Sequence, residues 1–487
     1  MKSFFFLLTL FFSQILFSQS LESVVYDKEN EIPVIFASVY TTQETGVITN
    51  GEGAFKINID NLSEKDSLII TSLGYEKLSL SLNQLKGLDT IFIKEQKEML
   101  TDVVISANKL SAEDIVQRFI DSISKRHHIE PTKFKVFLRT HDKLSPRAFE
   151  MDLKKSTAMT RSKRKTFNDQ VEKYFSNIKG RESNAYEDIL YDAYYLKDSI
   201  GIHYIKGTRL VNVEKDNSTE TIQKNIFKEL LSALETSSTF KVKSGLFPID
   251  DSLSTEEFIQ VKDSLKKDTL QNKFETNSII KSLTQNLASS DLIGDREYYK
   301  FSLASTKLFD GEVVYEINFE PDHRKAKYKG KLYINAEDFG LMRLDYNLLD
   351  GEKEQGVNLK FLLGLKYRVD QSEYQIIYQR HQNKKYYPKY YRAKRNQYVY
   401  LDRSISFKEN TDDRKNRIKL KLDFYVENDN IKQEEYLFMT PENLVSNTSE
   451  FNPEKYVFKE QIDTYNPKIW EEYNIIQATE GIKNYKY

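Results

Sequence analysis

The sequence predicts a mainly β protein with helices: an N-terminal antiparallel β-sandwich, a linker helix, and a large, curved antiparallel sheet (half-barrel-like) with a helical insertion. Three observations predict it. Short runs alternating apolar with polar residues recur at close spacing from Val24 to Lys94. Longer alternating runs fill most of the chain from Tyr298 onward. Aromatic residues make up 13 %, chiefly 31 Tyr and 30 Phe, which suit half-buried pleated surfaces.

Taken in order, the chain begins "MKSFFFLLTLFFSQILFSQ", one early cation followed by an apolar run from Phe4 to Phe17. The run is too short for a membrane span and ends in small and polar residues, so residues 1–19 are expected to be a secretory signal cleaved near Ser18 to Ser20. The chain holds no cysteine, which excludes a lipid-modified Cys, a disulfide framework and thiolate metal sites. Stability must then come from core burial, for which the length suffices for two or three domains.

Residues 20–95 supply seven short runs: "VVYD", "IPVIFASVYTT", "GVITN", "GAFKINI", "DSLIITSLGY", "EKLSLSLN" and "DTIFIK". Phe55, Ile57 and Ile59 alternate with polar residues, as do Leu78, Leu80 and Leu82. This is the rhythm of a small sandwich. Asn50-Gly51 is expected to take positive φ in a tight hairpin, and Gly53 to let the returning strand start without a Cβ clash. Gly74 ends an apolar run where a turn re-aims Tyr75. No helix pattern follows these glycines, so they are turn chemistry and not a phosphate cradle.

"VVYDKENEIPVIFASVY", "GVITNGEGAFKI", "LIITSLGYEKLSL" and "LTDVVIS" at 100–106 together resemble the carboxypeptidase regulatory-like domain, a transthyretin-like β-sandwich of exported Bacteroidota proteins. The resemblance covers residues 21 to about 106. It implies an accessory module, found beside peptidases and outer-membrane receptors, with no catalytic residues to carry over. No zinc-peptidase domain follows here, and the length leaves no room for a full receptor barrel.

Residues 96–130 are expected to be a linker and an amphipathic helix. Ser111 is its N-cap, Glu113 and Asp114 suit the first turn, and Ile115, Phe119, Ile120 and Ile123 share a face. His127 and His128 follow; adjacent residues point about 100° apart on a helix, a poor arrangement for metal. The β-rich domain is expected over 131–487, starting with "KFKVFLRTH", "AFEMDLKKS", "DILYDAYYL" and "GIHYIKGTRLVNV". A helical insertion is expected at about 218–290. Its stripes are Ile222, Ile226, Phe227, Leu230, Leu231 and Leu234; then Phe258, Val261 and Leu265 behind a Ser254–Glu257 capping box; then Ile280, Leu283 and Leu287.

From Tyr298 the strands alternate well, with "DG" pairs at Asp310-Gly311 and Asp350-Gly351 as hairpin turns. A meander this long must curl or close to protect its edges. "GKLYINAEDFGLMRLDYNL" resembles strand pairs of lipoprotein-carrier half-barrels, and also a segment found after the regulatory-like sandwich in Bacteroidota envelope proteins. That likeness implies a sheet around an apolar cavity. A spanning barrel is disfavoured, because "KFKVFLRTHDK", "NKKYYPKYYRAKRNQ" and "NRIKLKLDF" alternate apolar residues with Lys or Arg.

The formal net charge is −1 with 30 % charged residues, a mixed-sign surface with no global field for nucleic acid. No H-E-x-x-H, G-x-S-x-G or P-loop occurs, and the six histidines are scattered, so no catalytic, cofactor or metal residues are named. Residues 154–165 carry six cations and no acid. Residues 374–401 carry seven, Arg380, Lys384, Lys385, Lys389, Arg392, Lys394 and Arg395, with eight tyrosines and no acid. In an exported protein this composition suits anionic lipid, lipopolysaccharide or glycan more than single-stranded nucleic acid. The sequence thus points to an exported, non-enzymatic protein of the periplasm or outer membrane, with no transmembrane helix after signal cleavage. It is expected to hold an apolar ligand such as a lipid in the sheet cavity. The alternatives are a scaffold or accessory factor for receptor or secretion machinery, and a hydrolase whose site gathers His203, His323 or His381 only in three dimensions.

Overall fold

The computed structural model describes residues 20–96 (44, 61, 64 and 86 apart), 110–211 (197 and 198 apart), 239–254 (246 apart), 277–284, 287, 291–443 and 460–485. The signal stretch, the 100–106 segment, and the stripes at 222–234 and 258–265 lie outside them. Two compact units form. Unit 1 joins the N-terminal segment to Leu308–Glu312 and Tyr465–Asn484, and unit 2 holds the rest up to Tyr487. The reading of 131–487 as one β-rich domain did not anticipate those two short segments in unit 1.

Unit 1 is a seven-stranded sandwich: β1 (Ser20–Asp27), β2 (Ser38–Thr41), β3 (Gly46–Ile48), β4 (Ala54–Asn58), β5 (Ser67–Thr71), β6 (Leu78–Ser81) and β7 (Thr90–Ile93). One sheet runs β4-β1-β7, the other β3-β2-β5-β6. Every pairing is antiparallel except β1 with β7, which is parallel. The alternation in β4 buries Phe55 and Ile57 between the sheets with Val25, Val39, Leu68, Ile70 and Ile91. At the β3–β4 turn, Asn50 acts through its side chain: Oδ1 accepts from the Glu52 and Ala54 amides at 2.9 and 3.0 Å. Positive φ falls on Gly53 (+75°) and not on the Asn50-Gly51 pair. A Cβ at Gly53 would lie 2.7 Å from the Val25 carbonyl oxygen, so the expected clash relief is real.

The segment Tyr465–Asn484 is tied to the sandwich by polar contacts from distant sequence. The Asn58 amide donates to Asn474 Oδ1 (2.7 Å), Asn50 Nδ2 to the Gln477 carbonyl (3.2 Å), and the Glu480 amide to Glu52 Oε2 (2.9 Å). Trp470, Ile475, Ile476, Ala478 and Ile482 are buried there. Gly74 donates its amide to the Leu308 carbonyl and Tyr40 its hydroxyl to Asp310 Oδ1 (2.6 Å), which places Leu308–Glu312 in the same unit.

Unit 2 is built on one large sheet, 15-stranded among the described residues. Its longest strands are β8 (Thr132–Ser156), β19 (Tyr386–Glu409) and β20 (Lys419–Phe438). On one side of β20 follow β8, β9 (Ser183–Leu196), β10 (Ser199–Val211) and β22 (Glu460–Ile462). On the other side follow β19, β18 (Leu365–Arg380), β16 (Leu341–Leu348), β15 (Tyr328–Asn335), β14 (Glu312–Pro321) and β13 (Tyr299–Phe309). Short strands β11 (Thr239–Ser244), β12 (Phe247–Ser254), β17 (Gln355–Leu359) and β21 (Glu442–Asn443) attach off this path. The path is open-ended and makes no closed barrel.

Within residues 132–156 the sequence reads as two runs, "KFKVFLRTH" and "AFEMDLKKS", yet β8 is continuous over 25 residues. The register against β20 shifts between Glu427 and Asn428, leaving Arg147 as an extra residue beside Pro146. Pro388 of β19 lies likewise beside a register shift, opposite Tyr378. Proline has no N–H for the ladder, and an irregularity spares it that bond.

Two longer helices pack in unit 2. In α1 (Ala112–Arg126) Ser111 forms the expected N-terminal cap with Asp114, and Ala112, Ile115, Val116 and Phe119 are buried. Helix α2 (Arg161–Ile178) was not expected: its first turn is the cationic 161–165 stretch. Phe167, Val171 and Phe175 of α2 pack on Phe149, Met151, Leu153, Leu420 and Leu422 of the sheet. Residues 277–284 form the third expected helix, with Ile280 and Leu283 buried and Leu287 buried just beyond.

Candidate binding site

The tyrosine-rich basic tract becomes the end of β18, a tight connection, and the first half of β19, so its side chains divide between the two sheet faces. Cross-strand partners share a face, and the registers Tyr346↔Tyr374, Tyr374↔Ala393, Ala393↔Glu434 and Tyr391↔Tyr436 define one of them. Along it runs a line of rings across five neighbouring strands. Tyr328 meets Tyr346 edge-on at 5.4 Å, Tyr346 stacks on Tyr374 at 4.6 Å, and Tyr374, Tyr391 and Tyr436 follow at 6.4 and 5.7 Å.

Arg395 lies among these rings. Its guanidinium donates to Glu434 Oε2 (2.7 Å) and to the Tyr374 hydroxyl (2.9 Å), and lies 3.7 Å from Glu354 Oε1. The Tyr374 hydroxyl donates to Glu354 Oε1 (2.6 Å), and Lys432 pairs with Glu434 at 3.2 Å. Burial opposes the Arg395 charge, but Tyr391, Tyr374 and Glu434 outweigh it and raise its pKa. Burial pushes Tyr391 up to about 12 and raises Tyr374 too, so both hydroxyls stay protonated. Further along β8, Asp142 sits opposite Lys432. Burial lifts its pKa to about 6; Lys432 and Arg209 oppose the rise, while Glu187 and Glu434 add to it. Ser372 Oγ, Glu354 Oε2, Asn428 Oδ1 and Asn430 Oδ1 are buried without a hydrogen-bond partner. This stretch of the face is polar.

The other expected cations lie elsewhere. Arg392 reaches Gln433 Oε1 (3.2 Å) and Glu373 (3.8 Å) on the opposite face, the face of Tyr390, whose hydroxyl donates to Glu435 (2.7 Å). Lys394 is half-buried opposite Gln433. Lys389 is buried at the irregularity beside Pro388. Arg380 pairs with Asp338 (3.1 Å) and Glu337 (3.3 Å). Lys384 holds positive φ (+59°) in the connection, and Lys385 donates to the His128 carbonyl (2.9 Å). The structure therefore gathers no single patch from the seven. The sequence could not show the carboxylates that meet them, because those come from other strands.

The histidines are dispersed as well. His127 is buried, stacked on Tyr386 (5.1 Å), and accepts the Leu341 amide at Nε2 (3.0 Å); burial drops its pKa to about 3. His141 Nε2 contacts Asn184 Oδ1 (2.9 Å), and His323 stacks on Tyr298 (4.9 Å). His203 lies on β10, His323 follows β14, and His381 follows β18. No cluster of three or more metal-ligating side chains occurs among the described residues.

Two of the openings among the described residues are large enough for a ligand. In unit 1 an open pocket of about 380 Å³ is lined by Tyr465, Trp470 and Tyr473 with Glu22, Lys56 and Lys483. Glu22 and Lys56 are paired at 3.2 Å across the β1–β4 ladder. In unit 2 a groove of about 740 Å³ runs beside α2, with Phe149 and Phe175 among the charged Asp152, Lys154, Glu172 and Lys179. Neither has the continuous apolar lining of an acyl-chain tunnel.

Comparison with known proteins bears on the sandwich. Residues 22–105 match the family model of the CarboxypepD_reg-like domain, as the N-terminal motifs implied. No curated protein matches the chain. A crystal structure of a membrane-associated protein of unknown function from Bacteroides fragilis aligns over 86 % of this chain and 98 % of its own. Its identity is 8 % and its TM-score 0.13, values that carry no argument about fold or function.

Proposed function

We propose that the chain is an exported, non-catalytic binding protein of the cell envelope, a scaffold or accessory module that engages partners on its surface. The leader-like residues 1–19 and the regulatory-like sandwich support export. The polar, tyrosine-lined sheet face carries the choice of scaffold over carrier. An acyl chain is stabilised by roughly 0.8 kcal/mol per buried CH₂ only where it meets an apolar wall. Here Tyr346, Tyr374 and Tyr391 with Arg395, Glu354 and Glu434 occupy such a wall, and lipid against them would strand polar groups. The aromatic pocket around Trp470 gives unit 1 its own place to grip a partner.

Solvent extraction of the purified chain followed by mass spectrometry tests the choice. Scaffold function predicts no acyl lipid at one-to-one stoichiometry, and a stoichiometric lipid would overturn it. Fractionation of cells making the tagged chain should place it with the envelope; recovery in the cytosol would refute the export half of the reading.

A further inference from the structure

We propose that the free edge of β8 beside α2 takes an extended polypeptide segment of a partner as one more strand, with side chains alternately apolar and cationic. Strand β8 pairs with β20 as far as Ser156, but β9 leaves it after the Leu144↔Ser183 pair. Among the described residues no strand pairs with 145–156 on the β9 side. Helix α2 returns along this edge and closes it at both ends. At one end the Leu153 amide donates to Asn168 Oδ1 (2.9 Å), and the Lys154 carbonyl accepts from Arg164 (2.9 Å). At the other the Gly180 amide donates to the Pro146 carbonyl (3.1 Å).

Those bonds fix which backbone groups point outward. In an antiparallel ladder, residues that bond to the partner strand alternate with residues that face away from it. Leu153 faces away from β20, and the register runs without a shift from Leu153 to Ala148, so Met151 and Phe149 face away as well. Their N–H and C=O groups open on the groove of about 740 Å³, which Phe149, Glu150, Met151 and Asp152 line on the sheet side. From Asn168 to Lys179 the α2 side of the groove spans about 16 Å, the length of roughly five extended residues. A row of main-chain donors and acceptors facing an open slot specifies another main chain.

The two faces of β8 set the side chains of the occupant. A residue opposite Phe149 or Met151 bonds to it through the backbone and shares its face. On that face Phe175 of α2 stacks on Phe149 at 5.6 Å, so this position is apolar. The next residue turns to the face of Glu150, Asp152, Asp402 and Asp423, which the registers Glu150↔Tyr425, Tyr425↔Asp402 and Asp152↔Asp423 bring together. The charges lining the groove are five acids, those four and Glu172, against Lys154 and Lys179. Lys154 is bonded to Asp152 (2.5 Å), and the neighbouring Arg147 and Arg403 are bonded to Asp429 and to Ser244. Lys155 and Lys421 pair with each other one row beyond, outside the lining. The excess at the groove is negative, so the alternate positions are cationic. This inference deepens the scaffold reading and rests on it; lipid extraction tests that reading, and peptide binding tests the edge, so the two failures are told apart.

Fluorescence anisotropy of a labelled KVKVKVK peptide with the full chain is the test. The peptide should bind saturably, and hydrogen exchange at the Phe149 and Met151 amides should slow when it does. The same peptide with N-methylated valines keeps every charge but cannot donate to β8, and should bind about tenfold or more weakly. EVEVEVE should lose as much. On the protein, S176W fills the groove from the exposed side of α2, and E150K/D402K reverses its charge; each should weaken KVKVKVK about tenfold or more. Circular dichroism checks that these exposed changes leave the fold intact. Absence of KVKVKVK binding would overturn the inference, and so would binding that N-methylation and S176W leave unchanged, which is charge adhesion only. So would Phe149 and Met151 amides that exchange in the free chain as slowly as those of Ala148 and Glu150, since this chain would then cover the edge itself.

Discussion

Asp142 shows how a single group on the sheet face couples fold to pH. Burial raises its pKa from 3.8 to about 6. Between those values the unfolded chain has released the proton while the native state still holds it. Stability from this group is therefore fully present below about pH 4 and falls as pH rises through about 6. Replacing Asp142 with Asn should remove that slope and stabilise the protein at neutral pH by about 1–2 kcal/mol. Urea denaturation of both proteins from acid to neutral pH reads the difference; parallel profiles would show that the Lys432 partner compensates the buried charge. Arg395 makes the complementary point about legibility. The sequence singled it out as a cation among tyrosines, but Glu434 and Glu354 neutralise it from β20 and from the segment just before β17. Spacing along one strand says nothing about which acids the neighbouring strands bring.

Elements were legible where local chemistry sets them. The Ser111–Asp114 cap formed as expected because both partners lie within one helical turn. Helix α2 escaped notice because its first turn reads as a charge run, although Thr160 is a good cap and Phe167, Val171 and Phe175 keep helical spacing. The two runs read in 133–156 join into one strand, because a one-residue irregularity beside Pro146 is accommodated against β20 and only the partner strand supplies it. The Lys360–Leu363 turn offers a test at this scale. Gly364→Ala should cost about 1–3 kcal/mol, since alanine must adopt positive φ and press on Asp402. Hydrogen exchange should also show the Asp402 amide losing protection. Unchanged protection would mean that the turn moves away from β19 without penalty.

Across the whole molecule, unit 1 is completed by residues more than 400 positions away in sequence, as the Asn50–Gln477 bond illustrates. Ile476 is buried in that returning segment near Trp470, the only tryptophan. Ile476→Ala should destabilise unit 1 by about 2–4 kcal/mol, by lost burial and by the cavity left behind. Acrylamide quenching of Trp470 fluorescence should rise in the variant; unchanged quenching and stability would show that the segment is merely laid on the sandwich.

What the sequence determined by itself was the β class, the regulatory-like sandwich at the N-terminus, and the capped helix that follows it. Each rests on interactions within a few residues: alternation, turn chemistry and a side chain reaching its own backbone. Tertiary structure decided which carboxylates meet which cations, which tyrosines line up with Arg395 on one sheet face, and which distant residues complete unit 1. Those outcomes depend on register between strands far apart in the chain, and register is a property of pairs of segments that no single segment encodes.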